Sequence, residues 1–440
     1  MAALPSFPPN FLWGVSTAAY QIEGAVTEDG RGRSIWDTFA HTPGRVRDGD
    51  TGDVACDHYH RYPEDVALLA ELGVDAYRFS IAWPRIQPHG AGAVNPRGLD
   101  FYDRLVDELG ARGITAVPTL FHWDLPQALE DAGGWLSRET SYRFAEYAAV
   151  VVDRLGDRVS RWITLNEPIV HMAEGYAFGT HAPGRELMFD ALPVAHHQLL
   201  GHGLAVRALR AGGAAEVMIT NNCTPVVPAS ESAEDLAAAA VYDGFHNRLF
   251  LDPVLLGENP LLDDAPCVRD GDREIIATPL DALGINYYNP TRVAAAPDGS
   301  PLPFEIVAIE GVPTTAFGWP VVPGGLRDLL VGLRDRYAGN LPPVYITESG
   351  CSTVDEVTGD GRIHDTARID YLDGHLRALH EAIDAGVDVR GYFVWSLLDN
   401  FEWAEGYQQR FGLVRVDYDT QRRTPKDSYS WLRAALRDQR

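Results

Sequence analysis

Two glutamates lie where carboxyl groups can do chemistry. Glu167 follows the apolar run Arg161–Leu165, and Glu348 follows the apolar run Val344–Thr347. A carboxylate can attack a carbon atom as a nucleophile, and a carboxylic acid can protonate the group that leaves. Two such groups facing each other across one substrate have the composition needed to cleave a glycosidic bond, with the carboxyls about 5–5.5 Å apart when the anomeric configuration is retained.

The elements that must position these glutamates are short apolar runs, most of them followed by segments with helical spacing. This alternation is typical of βα units and a parallel sheet. The eight runs are Phe11–Thr17, Val74–Ile81, Ile114–Phe121, Arg161–Leu165, Val217–Asn222, Ala282–Tyr287, Val344–Thr347 and Gly391–Leu397. They predict an α/β fold, a (β/α)₈ barrel. Its fourth and seventh strands lie on opposite sides, so Glu167 and Glu348 should face each other across the mouth.

Helical spacing and irregular stretches complete the predicted architecture. The predicted helices include Tyr62–Leu72, Leu99–Arg112, Tyr142–Leu155, Ala233–Phe250, Leu326–Tyr337 and Thr366–Ala385. Thr42–His60 and Pro290–Phe317 are rich in Gly, Pro and Asp, and we predict that they are long loops capping one face. No low-complexity linker or break in composition divides the chain, which favours a single domain over residues 1–440.

Polar side chains follow nearly every predicted strand. In a (β/α)₈ barrel the active site is built from the C-terminal ends of the strands. The residues at those ends include Gln21, Glu23, Arg78, His122, Trp123, Asp124, Asn166, Glu167, Asn221, Asn222, Asn286, Tyr287, Tyr288, Glu348, Trp395, Glu402 and Trp403. A barrel kept only for stability does not need amides, carboxylates and indoles there, so the pattern predicts an active site.

Seven segments, in order and over essentially the whole chain, resemble the family-1 glycoside hydrolases. They are Phe11–Gly14 through Tyr20–Gly24, Tyr77–Trp83, Phe121–Pro126, Thr164–Pro168, Gly284–Tyr288, Ile346–Glu348 and Trp395–Trp403. That family includes β-glucosidases, β-galactosidases and 6-phospho-β-glycosidases. The resemblance implies the same barrel, a retaining mechanism and no cofactor.

The resemblance also implies a role for individual residues. Glu348 matches the family's nucleophile and Glu167 its acid/base, with Arg78, Tyr288 and Asn286 as further catalytic residues. The predicted substrate-binding residues are Gln21, His122, Trp123, Asn166, Glu402 and Trp403, with Trp395 as a stacking floor and Trp319 on the aglycone side. We therefore expect a retaining exo-β-glycosidase that acts on small β-glycosides or oligosaccharides, a β-glucosidase with tolerance for galactosides and fucosides.

Two features separate this chain from other members of the family it resembles. Ser349 stands where an Asn normally follows the nucleophile, and we expect altered loop hydrogen bonding or aglycone preference, with turnover retained. The loop Glu402–Tyr407 lacks the Ser and Lys that meet a sugar phosphate in the 6-phospho subgroup. Its acidic and apolar residues disfavour a phosphorylated sugar.

Composition excludes several partner classes. Among 440 residues, 37 Lys and Arg oppose 62 Asp and Glu, for a net charge of −25. Such a chain repels nucleic-acid backbones and anionic lipid, so we expect neither nucleic acid nor membrane as a partner. Met1–Phe11 has no basic or apolar leader pattern, and the four cysteines are scattered without a C-x-x-C pair. Both features favour a non-exported protein with reduced thiols, in the cytoplasm.

Other interpretations of the sequence were weighed. The histidines of Asp57–His60 and the cluster His196, His197 and His202 lack the spacing of a metal site, and we expect packed or hydrogen-bonded roles and no metal. A non-catalytic carbohydrate-binding barrel would lose a catalytic Glu, and a thioglucosidase would be expected to carry Gln at position 167. A transglycosylase or a glycosidase dedicated to a specialised metabolite stays open, as do the preferred sugar, the aglycone and the oligomeric state.

Overall fold

The computed structural model describes residues 3–440, and eight parallel strands in it form a closed barrel. The strands are β1 (Leu12–Ser16), β2 (Ala76–Ser80), β3 (Thr115–Phe121), β4 (Arg161–Asn166), β5 (Glu216–Asn222), β6 (Ala282–Asn286), β7 (Val344–Ser349) and β8 (Val389–Trp395). They follow each other around the barrel in chain order, and β8 closes it against β1. The predicted (β/α)₈ barrel is confirmed, and each predicted run overlaps one strand.

A long helical segment follows every barrel strand. These segments are His58–Leu72, Pro96–Ala111, Arg138–Leu155, Leu192–Ala211, Ala233–Asp243 continuing through Gly244–Arg248 into Leu249–Leu255, Pro323–Tyr337, Thr366–Asp384 and Asp427–Asp438. Shorter helical segments are Ala19–Ile22, Ile35–Ala40, Arg47–Gly49, Trp83–Ile86, Gln127–Asp131, Gly134–Leu136, Pro168–Val170, His171–Ala177, Met188–Ala191, Asp272–Ile276, Ala338–Asn340 and Trp403–Glu405. The six predicted helices all overlap observed ones. Leu192–Ala211 and Asp427–Asp438 are helices beyond those six.

The prediction of an irregular loop over Pro290–Phe317 is wrong. Thr291–Ala295 pairs in parallel with Val226–Pro228 and antiparallel with Phe304–Val307, which makes a three-stranded sheet outside the barrel. The turn between its two later strands is rich in Pro and Gly, which hides the short strands on either side. The other predicted loop, Thr42–His60, contains the single helical turn Arg47–Gly49 and the first residues of the helix His58–Leu72.

The lower half of the barrel is filled by one side chain from each strand. In strand order the eight residues are Leu12, Ala76, Val117, Ile163, Met218, Ala282, Tyr345 and Phe393, all buried except the partly buried Leu12. The layer combines small and large side chains, as barrel interiors require. Gly14 makes room for it, because a Cβ there would lie 2.3 Å from the Phe393 ring. The packed layer closes the barrel beneath the strand ends and leaves only its C-terminal mouth for a site.

The C-terminal hairpin of Val414–Asp417 and Arg422–Pro425 is tied to the helix His58–Leu72 by a buried ion pair. Arg423 Nε donates to Asp65 Oδ1 over 2.9 Å, and the two side chains are almost fully buried. His58 Nδ1 lies 2.8 Å from the other Asp65 oxygen. The Asp65 carboxylate is therefore a hydrogen-bond partner of both Arg423 and His58, and all three side chains are buried.

Asp65→Ala should lower the free energy of unfolding by about 3–5 kcal/mol, because it leaves the Arg423 guanidinium buried without its counter-charge. Urea unfolding followed by circular dichroism measures the loss. Glu71→Ala is the matched control on the same helix, since it breaks only the exposed pair with Arg433. That variant should lose far less stability. Equal losses in the two variants would contradict the role given to the buried pair.

Among residues 3–440, no helix combines the length and the apolar character needed to cross a bilayer.

Candidate active site

A cavity of about 390 Å³ opens at the C-terminal ends of the strands. Residues from the ends of β3 to β8 and from the loops after them form its wall. They include Glu167, Glu348, Glu402, His122, Asn166, Asn222, Tyr288, Trp123, Trp319, Trp395, Trp403 and Phe411. Glu167 and Glu348 thus lie in one cavity. Three predicted site residues, Gln21, Arg78 and Asn286, do not line it but hold residues that do.

Glu348, near the end of β7, is held by a cation and a phenol. Arg78 Nη1 from β2 donates to Oε1 over 2.5 Å, and the Tyr288 hydroxyl donates to Oε2 over 2.7 Å. Burial raises the pKa of Glu348 above its ordinary value, whereas the Arg78 charge and the Tyr288 hydrogen bond oppose that rise. Both oxygens are oriented by donors that favour the ionised form. The arrangement suits a carboxylate that must stay charged to attack carbon.

Glu167, directly after β4, is held by amides instead. Its Oε1 accepts from Asn286 Nδ2 over 2.7 Å and from Asn222 Nδ2 over 3.1 Å. Burial, and then the negative charge on Glu348, raise the pKa of Glu167 to about 8. Glu167 is therefore protonated at neutral pH. Because Oε1 already accepts two N–H groups, the proton belongs on Oε2.

Amides connect the two carboxyl sites. Asn166 Oδ1 accepts from Arg78 Nη2 over 2.6 Å and from Asn286 Nδ2 over 3.1 Å. The Thr347 hydroxyl donates to Asn286 Oδ1 over 2.7 Å, which orients that amide. Asn166 Nδ2 donates to His122 Nε2 over 3.0 Å. The His122 Nε2 atom is therefore the acceptor, and the proton of the neutral ring is on His122 Nδ1. Burial, followed by the Arg78 charge, holds the pKa of His122 well below its usual range, and the ring is neutral.

Glu402 is a third carboxyl in the cavity. Gln21 lies behind it, and Gln21 Nε2 donates to the Glu402 Oε2 over 3.3 Å and to the Phe401 carbonyl over 2.9 Å. Burial, and then the charge on Glu348, raise the pKa of Glu402 to about 8. Of these three carboxyls only Glu348 contacts the Arg78 guanidinium, so the negative charge is favoured on Glu348.

Aromatic rings form the remaining walls. Trp395 stacks on His122 with centroids 5.9 Å apart, and Trp123 packs against Trp403 at 4.7 Å. Trp319 lies 5.2 Å from Tyr288. Further contacts with Phe317 and Phe411 extend the wall beyond Trp319. Indole faces suit the weakly apolar C–H face of a sugar, and the carboxyls and amides suit its hydroxyls.

The backbone at the cavity adopts a conformation that L-residues rarely take. Trp123, Glu167 and Trp403 have φ values of 74°, 44° and 49°. Positive φ in a large side chain costs about 1–3 kcal/mol and persists only where the surroundings over-determine it. Here the Trp123 indole donates to the Asn166 carbonyl over 2.9 Å, and Glu167 is fixed by its two amide donors. Backbone strain is therefore used to aim side chains into the cavity.

Several lining residues were given no role from the sequence. Asn222 ends β5 and is among the polar strand-end residues named above, but the sequence analysis assigned it no part in catalysis or substrate binding. His181, Glu174, Glu405 and Phe411 also line the cavity, but they come from loops and short helical turns and not from strand ends. Their positions carry no local signal. The Ser349 side chain is buried and does not line the cavity, so any effect of this substitution acts from behind Glu348.

The histidines considered as metal ligands have structural partners. His58 lies 2.8 Å from Asp65, His196 lies 2.8 Å from Asp272, and His202 lies 2.7 Å from the Thr164 hydroxyl. The predicted hydrogen-bonded roles are confirmed for these three. Within residues 3–440, no group of three His, Cys, Asp or Glu side chains is arranged to hold a metal ion.

Comparison with known proteins agrees with this geometry. The model of glycosyl hydrolase family 1 matches residues 4–440. The thermostable β-glucosidase B of Thermobispora bispora is 52% identical, over 98% of this chain and 91% of that protein. The bifunctional β-D-glucosidase/β-D-fucosidase of Bifidobacterium breve is 45% identical, over 98% of each. The structure of the Thermotoga maritima β-glucosidase in complex with glucoimidazole superposes with a TM-score of 0.94 at 47% identity, covering 99% of both chains. The chain belongs to glycosyl hydrolase family 1.

Proposed function

We propose that this protein is a retaining exo-β-glucosidase that releases terminal β-D-glucosyl residues by double displacement. The observation that supports this proposal most strongly is that two carboxyl groups in one cavity have different hydrogen-bond partners. Glu348 is contacted by a guanidinium and a phenol, whereas Glu167 receives only amide donors and has a raised pKa of about 8. Environments that separate the pKa values of two carboxyls identify the nucleophile and the acid. The family and the named activities of its relatives support the proposed activity.

In the first step, a Glu348 oxygen attacks the anomeric carbon and forms an ester bond. The bond from that carbon to the leaving oxygen breaks, and its electron pair stays on the oxygen, which takes the Glu167 proton. In the second step, Glu167 accepts a proton from water, and the hydroxide attacks the anomeric carbon. The ester bond breaks and Glu348 returns as a carboxylate. Two inversions give net retention.

The change of role at Glu167 follows from its dependence on Glu348. The negative charge on Glu348 is the second contribution that raises the pKa of Glu167. Once Glu348 is a neutral ester, this contribution disappears and the pKa of Glu167 falls. A group that holds its proton before attack therefore becomes a carboxylate suited to activate water.

In this proposal the remaining site residues bind the sugar or orient the residues that contact it. His122, Asn166, Glu402 and Trp403 meet its hydroxyls, and Trp395 supports its apolar face. Gln21 orients Glu402, Asn286 orients Glu167, Trp123 closes the wall beside Trp403, and Trp319 lies on the aglycone side. β-Fucosides and β-galactosides are further substrates in this proposal, and the activity named for the Bifidobacterium breve relative supports the fucosides.

We also propose that residues 1–440 act as one domain in the cytoplasm, which agrees with four unpaired cysteines.

A panel of p-nitrophenyl β-glycosides tests the function. We expect hydrolysis of the glucoside, with the fucoside and galactoside also cleaved, and little cleavage of the α-glucoside. Proton NMR of the first minutes of reaction should show β-glucose before mutarotation. If the α-anomer forms first, the retaining mechanism is wrong. If no β-glycoside in the panel is cleaved, the proposed activity is wrong.

The pH dependence of kcat/KM should be bell-shaped. Glu167 must be protonated to act as an acid, so activity is lost as the pH rises through its pKa of about 8. Glu348 must be ionised, and its pKa is raised by burial, so activity is lost as the pH falls through that value. The maximum therefore lies in the mildly acidic to neutral range. Initial rates at low substrate concentration measure the profile, and a rate still rising at strongly alkaline pH would contradict it.

A further inference from the structure

A second and larger cavity, of about 470 Å³, lies beside the catalytic one. Its volume is within the range of about 300–1,000 Å³ that is typical of small-molecule sites. Its wall is mainly apolar and includes Ile169, Met172, Phe178, Met188, Phe189 and Phe245. It is formed by the segments that follow β4, β5 and β6. The cavity is therefore built by the same end of the barrel that carries Glu167.

The two cavities share part of their lining at one edge. Val170 and Glu174 line both of them. Trp319, Phe317 and Phe411, which line the catalytic cavity, are not part of the second one. The second cavity is thus separate and lies on the side of the β4 loop, and its lining begins at Ile169, two residues after the acid/base in the chain. The shared residues mark the edge across which the tail of a leaving group would extend.

A hydrogen-bond chain joins the wall of the second cavity to Glu167. His246 lines that cavity, and its Nε2 lies 3.1 Å from Asn222 Oδ1. Asn222 in turn donates through Nδ2 to Glu167 Oε1 over 3.1 Å. Burial lowers the pKa of His246 to about 4, so the ring is neutral and Nε2 is the donor. Whatever fills the second cavity contacts a residue only two hydrogen bonds away from the catalytic acid.

The rim of the second cavity exposes apolar side chains. Phe178 is 40% exposed, Phe189 44% and Ile306 63%. Clustered exposed apolar groups beside a site usually mark a binding surface. Two of the four methionines of the chain, Met172 and Met188, also lie in this wall. Their flexible thioethers adapt to ligands of varied shape. The wall thus offers an adaptable, mainly apolar surface.

We infer that this second cavity binds the hydrocarbon tail of the leaving group, so that the preferred substrates are β-glucosides of apolar alcohols. This inference rests on the proposed function and names its substrate class. The sugar lies between Glu167 and Glu348, the leaving oxygen meets Glu167, and the tail passes Val170 and Glu174 into the apolar wall. Burial of a methylene there is favourable by the same effect that drives core packing.

The test is a series of alkyl β-glucosides from ethyl to octyl, used below their micelle concentrations. Their dissociation constants are measured by calorimetry with Glu348→Gln protein, which retains the cavity but lacks the nucleophile. We expect affinity to rise about twofold to fourfold per methylene once the tail reaches the second cavity. The double substitution Phe189→Ser and Ile306→Ser, made in the same background, should remove at least half of that slope on a logarithmic scale.

We expect these variants to keep the fold, because neither Phe189 nor Ile306 is buried. Leu236→Ser is the matched control, since Leu236 is 50% exposed and lines neither cavity. It should leave the slope unchanged. Hydrolysis of ethyl β-glucoside by the unchanged protein is measured separately, and its failure would reject the proposed function and not the cavity assignment.

Three results would overturn the assignment of the second cavity. One is affinity that does not depend on chain length, including the absence of measurable binding throughout the series. Another is a slope that the double variant retains in full, which would place the tail elsewhere. The last is self-association in sedimentation velocity that the double variant abolishes while the chain-length slope is flat. In that case the apolar rim is a contact between copies of this chain.

Discussion

Glu348→Gly should lower kcat for p-nitrophenyl β-glucoside by at least about 10⁴-fold, the scale on which enzymes lose turnover when a nucleophile is removed. Added azide should restore part of the activity. The lost side chain leaves space on the α face of the sugar, and azide can attack the anomeric carbon from there while Glu167 protonates the leaving oxygen. The product should therefore be the α-glucosyl azide, identified by NMR.

Glu348→Gln is the matched control for azide rescue. It removes the nucleophile but keeps the volume, and the amide can still contact Arg78 and Tyr288, the two partners of the carboxylate. We expect no turnover and no rescue by azide. Recovery of β-glucosyl azide from Glu348→Gly would mean that another group still attacks the α face first. That result would remove Glu348 from the role of nucleophile.

The position of Glu348 explains why this glutamate can be assigned to the candidate site from sequence. A residue that ends an apolar β-branched run in an alternating βα pattern must lie at the mouth of a barrel, whatever the loops do. The same holds for Glu167, Asn166 and Asn286 at the ends of β4 and β6. Strand ends are set by local pattern and barrel closure together. These parts of the site are therefore predictable without knowing any contact.

Other parts of the molecule depend on packing between distant segments. The helix Leu192–Ala211 has 13 of its 20 residues buried, among them three histidines and a glutamine, so the apolar residues do not form one clear helical face in the sequence. Gly203 within it lets the helix approach another segment, because a Cβ there would lie 2.0 Å from the Ile275 carbonyl oxygen. A glycine required by close approach resembles a helix breaker in the sequence. This helix is therefore determined by its contacts with distant segments and not by a local sequence pattern.

The second cavity could not be predicted for a similar reason. Its wall joins the segment after β4 to the π-helical turn Gly244–Arg248 and to the strand Phe304–Val307, which the sequence pattern assigned to a loop. No single segment of the wall has a period or a motif of its own. The chain from His246 through Asn222 to Glu167 is equally non-local. Specificity here arises from how the loops meet, whereas the chemistry arises from where the strands end.

Glu167→Ala should divide substrates by their leaving groups. A β-glucoside of a poor leaving group, such as an alkyl alcohol, needs the proton that Glu167 holds at neutral pH. Its kcat/KM should fall by about 10²–10⁴-fold, the usual contribution of general acid catalysis. A 2,4-dinitrophenyl β-glucoside departs without protonation, so its kcat/KM should fall by about tenfold or less. Parallel kinetics on the two substrates measure the split.

Glu167→Ala should also test the role of Glu167 as the base that activates water in the second step. Without a base to activate water, the glucosyl ester on Glu348 persists, and azide should attack it from the β face to give β-glucosyl azide. That product has the opposite configuration to the one expected from Glu348→Gly, so one reagent separates the two carboxyls. Glu167→Gln is the control that keeps the volume, and it should show the same division by leaving group. If Glu167→Ala slows both substrates equally, the group that protonates the leaving oxygen is not Glu167.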